Sequence, residues 1–208
     1  MLKPARFQKK DLEMGDQGTE GLLSPYLRSQ RLKAVSPYIR GRVLDVGCGT
    51  GQLALRVPPD QYLGVDADEA SLVLARQKNP RHFFQASMPE TKSKFDTVTA
   101  LAVIEHLAEP VVFLQKLAGY LREGSESFIV LTTPHPFSRW IHKAGKATGL
   151  FSRQADMEHK DFLGRDRIRK LAQECRLDLV SYRPFLFGTN QLVVFRIQQN
   201  DETCGRSF

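Results

Sequence analysis

Three glycines at alternate positions follow a short hydrophobic segment, an arrangement typical of a backbone cradle for a ligand. Val43–Val46 has the β-branched and apolar residues of a buried strand, and Gly47, Gly49 and Gly51 come directly after it. A chain that turns sharply at the end of a strand, with a ligand close to its backbone, has no room for side chains. N–H groups at the start of a following helix would favour a polar or anionic ligand group. We therefore predict a ligand-binding loop, with Asp45 either orienting it or accepting from a ligand ammonium.

A second segment ends in an acidic residue that fits the same site. Gln61–Val65 has the pattern of a strand, and Asp66 follows it, 19 positions after Gly47. In nucleotide-binding α/β sheets a carboxylate at this place accepts hydrogen bonds from the hydroxyls of a ribose. The alternative is that Asp66 only begins the next helix, but Asp68 is the better N-cap. The sequence therefore predicts a ligand that contains a ribose.

The elements that would position these residues alternate along the chain. Helices are predicted over 24–39, 52–57, 68–78 and 110–122 and from about Asp166, and strands over 42–46, 61–66, 82–86, 95–101 and 127–133. Strands that alternate with helices form parallel sheets with right-handed crossovers. Two final strands, 177–182 and 191–197, are separated by a short turn, which predicts a hairpin and an antiparallel strand at the end of the sheet.

The glycine spacing separates two classes of nucleotide-binding protein. Dinucleotide-binding sheets have G-x-G-x-x-G, whereas Gln52 stands at the third glycine's place here, which disfavours an NAD-dependent oxidoreductase. The spacing in VLDVGCGTG instead resembles the first motif of class I S-adenosylmethionine-dependent methyltransferases. The resemblance covers nearly the whole chain, including FDTVTALAVIEHL and FIVLTTP. It is strongest to small metabolite methyltransferases, including those of ubiquinone synthesis, whose fourth motif ends like Glu105–Leu107.

The resemblance implies an α/β fold, a Rossmann-like, doubly wound, mostly parallel seven-stranded sheet with an antiparallel end strand. It also implies S-adenosylmethionine as the cofactor. Many relatives carry an Asp near the adenine amino group, where Ser87 and Met88 stand here. The implied cofactor contacts are Asp45, Gly47, Cys48, Gly49 and Gly51 for the methionine part, Asp66 for the ribose, Ala67, Ser87 and Met88 for the adenine, and Leu101 and Ala102 beside the reacting methyl.

Methyl transfer from a sulfonium depends mainly on in-line positioning in a dry pocket. A general base is needed only when the acceptor is protonated, as a phenol is. The candidate bases are His106 and His135, with His159 ranked below them. Each could instead be a structural or exposed histidine. Glu105 would orient the acceptor or hold His106.

The chain is predicted to be one domain, 1–208. It divides into an N-terminal extension and helix (1–40), a cofactor-binding core (41–134), a lid-like insertion (135–164) and a final helix and strand pair (165–208). In the insertion, Trp140 and Arg139 would cover and hold an acceptor that is anionic and aromatic. A plain surface loop and a weak membrane-surface contact are the alternatives.

Composition sets the outer limits. Hydrophobic residues make up 41% of the 208 residues, the formal net charge is +7, and no apolar run is long enough to span a bilayer. Three scattered cysteines have no metal-ligand spacing, so no metal site is predicted. The N-terminus lacks the apolar core of a secretory signal, so a cytoplasmic location is predicted. Leu101–Ile104 lacks the motifs of base-methylating enzymes, so no nucleic acid partner is expected.

These observations favour methyl transfer to a small metabolite, most plausibly at oxygen. A catalytically silent S-adenosylmethionine-binding regulator or partner subunit is the alternative from another class, and an RNA-modifying methyltransferase is less favoured. The oligomeric state has no signal in the sequence.

Overall fold

The structure is a computed structural model that describes residues 24–90, 93–124, 126–135 and 163–198. The predicted roles of Arg139, Trp140 and His159, and nearly all of the insertion that contains them, lie outside the described residues. The division into a single domain stays a prediction.

Seven strands form the centre of the described fold. They are β1 (Val43–Val46), β2 (Tyr62–Val65), β3 (Phe83–Gln85), β4 (Thr97–Leu101), β5 (Phe128–Pro134), β6 (Leu177–Phe185) and β7 (Asn190–Ile197). They form one sheet in the order β3-β2-β1-β4-β5-β7-β6, in which the first five strands pair in parallel and β7 is antiparallel to both of its neighbours. The predicted fold class is therefore confirmed.

The antiparallel strand is not itself the edge of the sheet. β7 lies between β5 and β6, and its residues Leu192–Phe195 are all buried. β6 carries the polar residues Asp178, Ser181 and Arg183 and forms the edge, where partial exposure is tolerated. The hairpin is thus placed by the difference in hydrophobicity between its two strands.

Four α-helices accompany the sheet in the described residues: α1 (Ser24–Val35), α2 (Glu69–Lys78), α3 (Pro110–Tyr120) and α4 (Arg165–Glu174). Asp68 is the N-cap of α2, as predicted, and its carboxylate accepts from the N–H groups of Ala70 and Ser71. α1 ends before Ser36 and Pro37, where a 3-10 turn replaces the last part of the predicted helix. None of these helices is long and apolar enough to cross a membrane.

The predicted helix over 52–57 is wrong. Turns and a 3-10 helix of three residues, Ala54–Arg56, occupy this segment. Only six residues separate Gly51 from Pro58, and the residue before a proline is disfavoured in the helical conformation. Val57 is accordingly extended, with φ −125° and ψ 137°. The ligand loop therefore has no α-helix N-terminus behind it, and its N–H groups come from the turn itself.

Both faces of the sheet are covered. On one face the core includes Leu44, Val98 and Ile129 packed with residues of α3 and α4. On the other face Val43, Val130 and Leu192 pack with Val35 of α1 and Leu53. A sheet covered on both sides exposes the ends of its strands, and ligands of parallel sheets bind at the carboxyl ends.

Candidate functional site

The glycine loop turns at the carboxyl end of β1 in a conformation that L side chains rarely adopt. Gly47, Gly49 and Gly51 have φ values of 72°, 51° and 73°. A Cβ at Gly47 would overlap Cγ2 of Val103, and one at Gly51 would lie 2.8 Å from Nδ2 of Asn79. At Gly49 nothing lies within 4 Å of that position. The outer two glycines are therefore required by packing, whereas the middle one leaves an open cradle that a Cβ would fill.

Asp66 closes one side of this cradle. Its Oδ2 accepts from the N–H of Gly49 at 2.7 Å, and its Oδ1 accepts from the N–H of Asp68 at 2.9 Å. A carboxylate has about four acceptor positions, so each oxygen can accept a further hydrogen bond. The side chain is only half-buried. The end of β2 thus presents an oriented carboxylate directly beside the open face of Gly49.

Asp45 lies inside the sheet beneath the loop. It pairs with Gly64 of β2 and Thr99 of β4 in the parallel register, and it is buried. Its Oδ1 accepts from the Thr99 hydroxyl at 2.6 Å and its Oδ2 from the Tyr62 hydroxyl at 2.8 Å. Burial raises the pKa of the Asp45 carboxyl to about 6, although both hydrogen bonds oppose the increase. Of its two predicted roles, this geometry fits orientation of the loop.

The pKa of Asp45 predicts a distinct pH dependence of stability. Between about pH 4 and 6 the folded protein binds more protons at this group than the unfolded chain does, so this group's contribution to stability falls as the pH rises through that window. Asp45→Asn removes the ionisation and keeps the amide within hydrogen-bonding reach of both hydroxyls. In urea unfolding, the free energy of unfolding of the variant relative to that of the parent should be about 2 kcal/mol higher at pH 7 than at pH 4. If the difference in free energy of unfolding between the variant and the parent is the same at every pH in this range, the pKa of Asp45 is not raised.

Cys48 contributes through its backbone. The N–H groups of Gly47 and Cys48 both donate to the carbonyl of Val65, at 2.8 and 3.1 Å. The thiol points inward, because a Cβ at Gly64 would lie 2.9 Å from its Sγ. Desolvation by burial raises the pKa of this thiol well above its ordinary value. Cys48 therefore fastens the loop to β2 and fills the space that Gly64 leaves.

The end of β4 reaches the loop from the other side. Leu101 is the last residue of β4, and Ala102 has a φ of 59°, a strained value for a residue with a Cβ. The N–H of Ala102 donates to the carbonyl of Thr132 at 2.8 Å, which ties β4 to β5. Val103 then packs on Gly47. The structure thus brings Leu101 and Ala102 to the glycine loop, with backbone strain of the kind that concentrates at functional sites.

The segment after β3 lies beside Asp66 on the side away from the glycine loop, because β2 lies between β1 and β3. The N–H of Asp66 donates to the carbonyl of Gln85 at 3.2 Å, and Nε2 of Gln85 donates to the carbonyl of Ser87 at 2.5 Å. Ser87 is exposed, Ala67 is half-buried, and Met88 packs against the hydrophobic core. The three residues predicted to surround an adenine therefore follow the ends of β2 and β3, next to the carboxylate predicted to bind the ribose.

The candidate bases follow the ends of two adjacent strands. Glu105 and His106 belong to a 3-10 turn, Ile104–His106, that packs against β5 and α3. His135 follows β5, and its backbone N–H donates to the carbonyl of Thr189 at 2.9 Å. All three side chains are half-buried. They are on the correct end of the sheet for a reaction at the tip of β4, and their catalytic roles stay predictions.

Several supporting residues carry no local signal in the sequence. Asn79, at the end of α2, is buried and donates through Nδ2 to the carbonyls of Gly51 at 3.2 Å and Ala75 at 3.1 Å. It braces the glycine loop across 28 residues of sequence. Tyr62 and Thr99, which hold Asp45, look like ordinary strand residues. Only the Asn-Pro pair after α2 marks Asn79 as a helix end.

Gln191 fastens both described ends of the segment that joins β5 to α4. Its fully buried amide donates to the carbonyl of Leu163 at 2.6 Å and of Pro134 at 3.3 Å. Its Oε1 accepts from the Tyr182 hydroxyl at 2.8 Å. Pro134 directly precedes His135, so the hydrogen bonds of the Gln191 side chain, called the Gln191 clasp below, hold the backbone next to this candidate base.

Gln191→Leu should lower the free energy of unfolding by about 2 kcal/mol, because it leaves two carbonyls and one hydroxyl without their partner. Chemical denaturation of the parent and the variant measures this. Asn190→Ala, which removes a side-chain hydrogen bond to the Thr189 hydroxyl at 3.3 Å, is the control and should be nearly neutral. Equal stability of Gln191→Leu and the parent would show that the Gln191 clasp does not hold in solution.

A sheet in the order β3-β2-β1-β4-β5-β7-β6, with a glycine loop after β1 and an acidic residue after β2, defines the class I S-adenosylmethionine-dependent methyltransferases. The sequence supports this class independently, because the family model described as "Methyltransferase domain" matches residues 22–182. The chain belongs to this methyltransferase family, and the resemblance stated from its motifs is confirmed. It is an enzyme of the methyltransferase class, with S-adenosylmethionine as its cofactor.

Similar proteins span more than one acceptor class. A ubiquinone biosynthesis O-methyltransferase of Ruegeria sp. (strain TM1040) is 26% identical over 168 residues, which cover 76% of this chain and 68% of the relative. A tRNA U34 carboxymethyltransferase of Shewanella denitrificans is 33% identical over 111 residues, 48% of this chain and 33% of the relative. The fold is similar to magnesium protoporphyrin IX methyltransferase from Synechocystis with bound SAH, at a TM-score of 0.63 and 20% identity, covering 88% and 90% of the two chains.

Proposed function

We propose that this protein transfers the methyl group of S-adenosylmethionine to a hydroxyl of a small aromatic metabolite. The observation that carries the proposal is the open side of Gly49, bounded by the Asp66 carboxylate at 2.7 Å from the Gly49 nitrogen. A ligand backbone can approach the loop there, and an oriented carboxylate stands beside it. The ubiquinone biosynthesis O-methyltransferases among the similar proteins support oxygen as the methylated atom.

The described residues fit the cofactor. In the proposal the glycine loop holds its methionine part, Asp66 binds both ribose hydroxyls, and Ala67, Ser87 and Met88 surround the adenine. Asp45 supports the loop from below through its hydrogen bonds to Tyr62 and Thr99. When bound, the cofactor supplies an activated methyl group on a sulfonium. Leu101 and Ala102, with the backbone of β4 strained at that point, would line the side toward the acceptor and exclude water from it.

The remaining requirement is a proton acceptor. A phenolic hydroxyl ionises only near pH 10, so a base within hydrogen-bonding reach accelerates its reaction at neutral pH. His106 and His135 follow the ends of β4 and β5, which are adjacent strands, and the proposed reaction centre lies at the end of β4. We propose that one of them accepts the phenolic proton, and that Glu105 orients the acceptor or that histidine.

Two other functions remain in view. A catalytically silent S-adenosylmethionine-binding protein would use the same cradle, because the glycine loop and Asp66 bind cofactor in either case. A tRNA substrate has support from the carboxymethyltransferase relatives, but that similarity covers only 48% of this chain. The excess of basic residues, with a net charge of +7, suits both an RNA and an anionic metabolite.

Transfer of radioactive methyl from S-adenosylmethionine to a panel of acceptors tests the proposal. The panel contains catechol, hydroxybenzoates, aromatic amines and unmodified tRNA, and Gly49→Val is the control that lacks a cofactor site. We expect label on the phenolic compounds with the parent and none with the variant. Label on tRNA alone would support the RNA alternative. Cofactor binding without any transfer would support the silent regulator.

A further inference from the structure

The turn that joins β6 to β7 carries bulky residues at positions that normally require glycine or asparagine. Leu186 and Phe187 have φ values of 53° and 54°. The N–H of Gly188 donates to the carbonyl of Phe185 at 3.2 Å, which closes a turn whose two central residues both have positive φ. Positive φ favours glycine or asparagine, since L side chains collide with their own backbone there. The sequence Leu-Phe is therefore a costly choice for this turn.

Leu186 is half-buried, but packing within the described part of the chain does not compensate for the backbone cost at Phe187. The Phe187 side chain is 95% exposed, so its ring gains almost no hydrophobic burial. Phe185, two residues earlier, does pack against the hydrophobic core. Backbone strain concentrates at functional sites, and aromatic rings contribute strongly to binding, so an exposed ring on a strained turn favours a binding role.

The turn also lies at the end of the sheet where the proposed reaction takes place. Pro134, the last residue of β5, pairs with Asn190, and the N–H of His135 donates to the carbonyl of Thr189 in the turn at 2.9 Å. On the other side of β5, Thr132 accepts from the N–H of Ala102. One hydrogen bond thus joins the turn to His135, directly after β5, and another joins β5 to Ala102 at the strained end of β4.

We infer that Phe187 is a specificity-determining residue that contacts the methyl acceptor through an apolar ring or chain. This inference rests on the proposed function and extends it, because it assigns the acceptor an apolar part directed toward the β6–β7 turn. An aromatic side chain on a rigid turn can stack on a ring or cover a hydrocarbon substituent. The backbone N–H of His135, the candidate base, donates to the carbonyl of Thr189 in the same turn, so recognition and proton transfer would take place next to each other.

Phe187→Asn separates recognition from stability, because asparagine tolerates positive φ and removes the ring. The probes are catechol and 4-butylcatechol, with S-adenosylhomocysteine release as the readout. The parent should prefer 4-butylcatechol. The variant should lose that preference, with KM for 4-butylcatechol raised about tenfold, kcat within twofold and cofactor affinity unchanged. Its melting temperature should equal or exceed that of the parent.

Phe83→Asn is the matched control, since Phe83 is an exposed aromatic residue on β3, the opposite edge of the sheet. It should leave KM for both catechols unchanged. An unchanged KM in Phe187→Asn would overturn the inference while the proposed function stands. A loss of melting temperature and of cofactor affinity together would show a structural role and overturn it as well. If the parent methylates neither catechol, phenolic O-methylation of this class fails, and the inference fails with it.

Discussion

Gly49→Val should abolish binding of S-adenosylmethionine and S-adenosylhomocysteine while leaving a folded protein. Nothing lies within 4 Å of a Cβ at this position, so a side chain there extends into the cradle that the ligand would occupy. We expect calorimetric affinity for S-adenosylhomocysteine to fall at least 100-fold, or about 2.7 kcal/mol. The φ of 51° adds a backbone cost of about 1–2 kcal/mol, which lowers the melting temperature without unfolding the chain at 25 °C.

Gly124→Val is the control for a β-branched side chain at a positive φ away from the cradle, and its backbone cost is at least as large. Gly124 has a φ of 145° and open space around its Cβ position, but it precedes β5 at the amino end of the sheet, opposite the cradle. It should lose stability and retain cofactor affinity. If Gly49→Val binds as tightly as the parent, the glycine loop is not the cofactor site. If both variants lose affinity equally, the loss reflects unfolding rather than a filled cradle.

Asp66→Ala should weaken S-adenosylhomocysteine by about 2–3 kcal/mol, or roughly 30- to 150-fold, because two ribose hydroxyls lose a charged acceptor. The variant also loses the hydrogen bond from the Gly49 N–H, so affinity alone does not isolate the ribose contact. A second ligand does isolate it. The parent should bind the 2′,3′-dideoxy analogue of S-adenosylhomocysteine much more weakly than the normal nucleoside, whereas Asp66→Ala should bind the two alike.

Asp68→Ala controls for damage to the start of α2. It removes the N-cap two residues away and should cost about 1 kcal/mol of stability. Its preference for the normal ribose over the dideoxy form should be that of the parent. If Asp66→Ala still discriminates between the two ligands as strongly as the parent, then Asp66 serves only to order the loop.

The sequence was sufficient for the order of the elements and for the residues at the ends of the strands. β1 and β2 are apolar runs that stop at a glycine loop and at Asp66, and both stops are local patterns. The predicted helix over 52–57 was wrong because the apolar spacing of this segment suits a helix but its length does not. Pro58 and the positive φ of Gly51 leave too few residues between them for an α-helix. Backbone constraints at both ends of a short segment outweigh its periodicity.

The residues that support the site were not predictable in the same way. Tyr62 and Thr99 meet Asp45 across 17 and 54 residues of sequence, and Gln191 meets Pro134 across 57. Each is a polar residue inside a strand whose partner is set by sheet order alone. The strained turn at Leu186 and Phe187 was not predictable from the sequence either, because only the backbone angles show that these residues occupy positions that disfavour them.

A crystal structure of the complex with S-adenosylhomocysteine tests the central claim most directly. We predict density at the carboxyl ends of β1, β2 and β4, with both ribose hydroxyls within hydrogen-bonding distance of the Asp66 carboxylate. The homocysteine part should pass over the open face of Gly49, and the sulfur should lie beside Leu101 and Ala102. A ligand at the amino ends of the strands, or one with its ribose away from Asp66, would contradict the account.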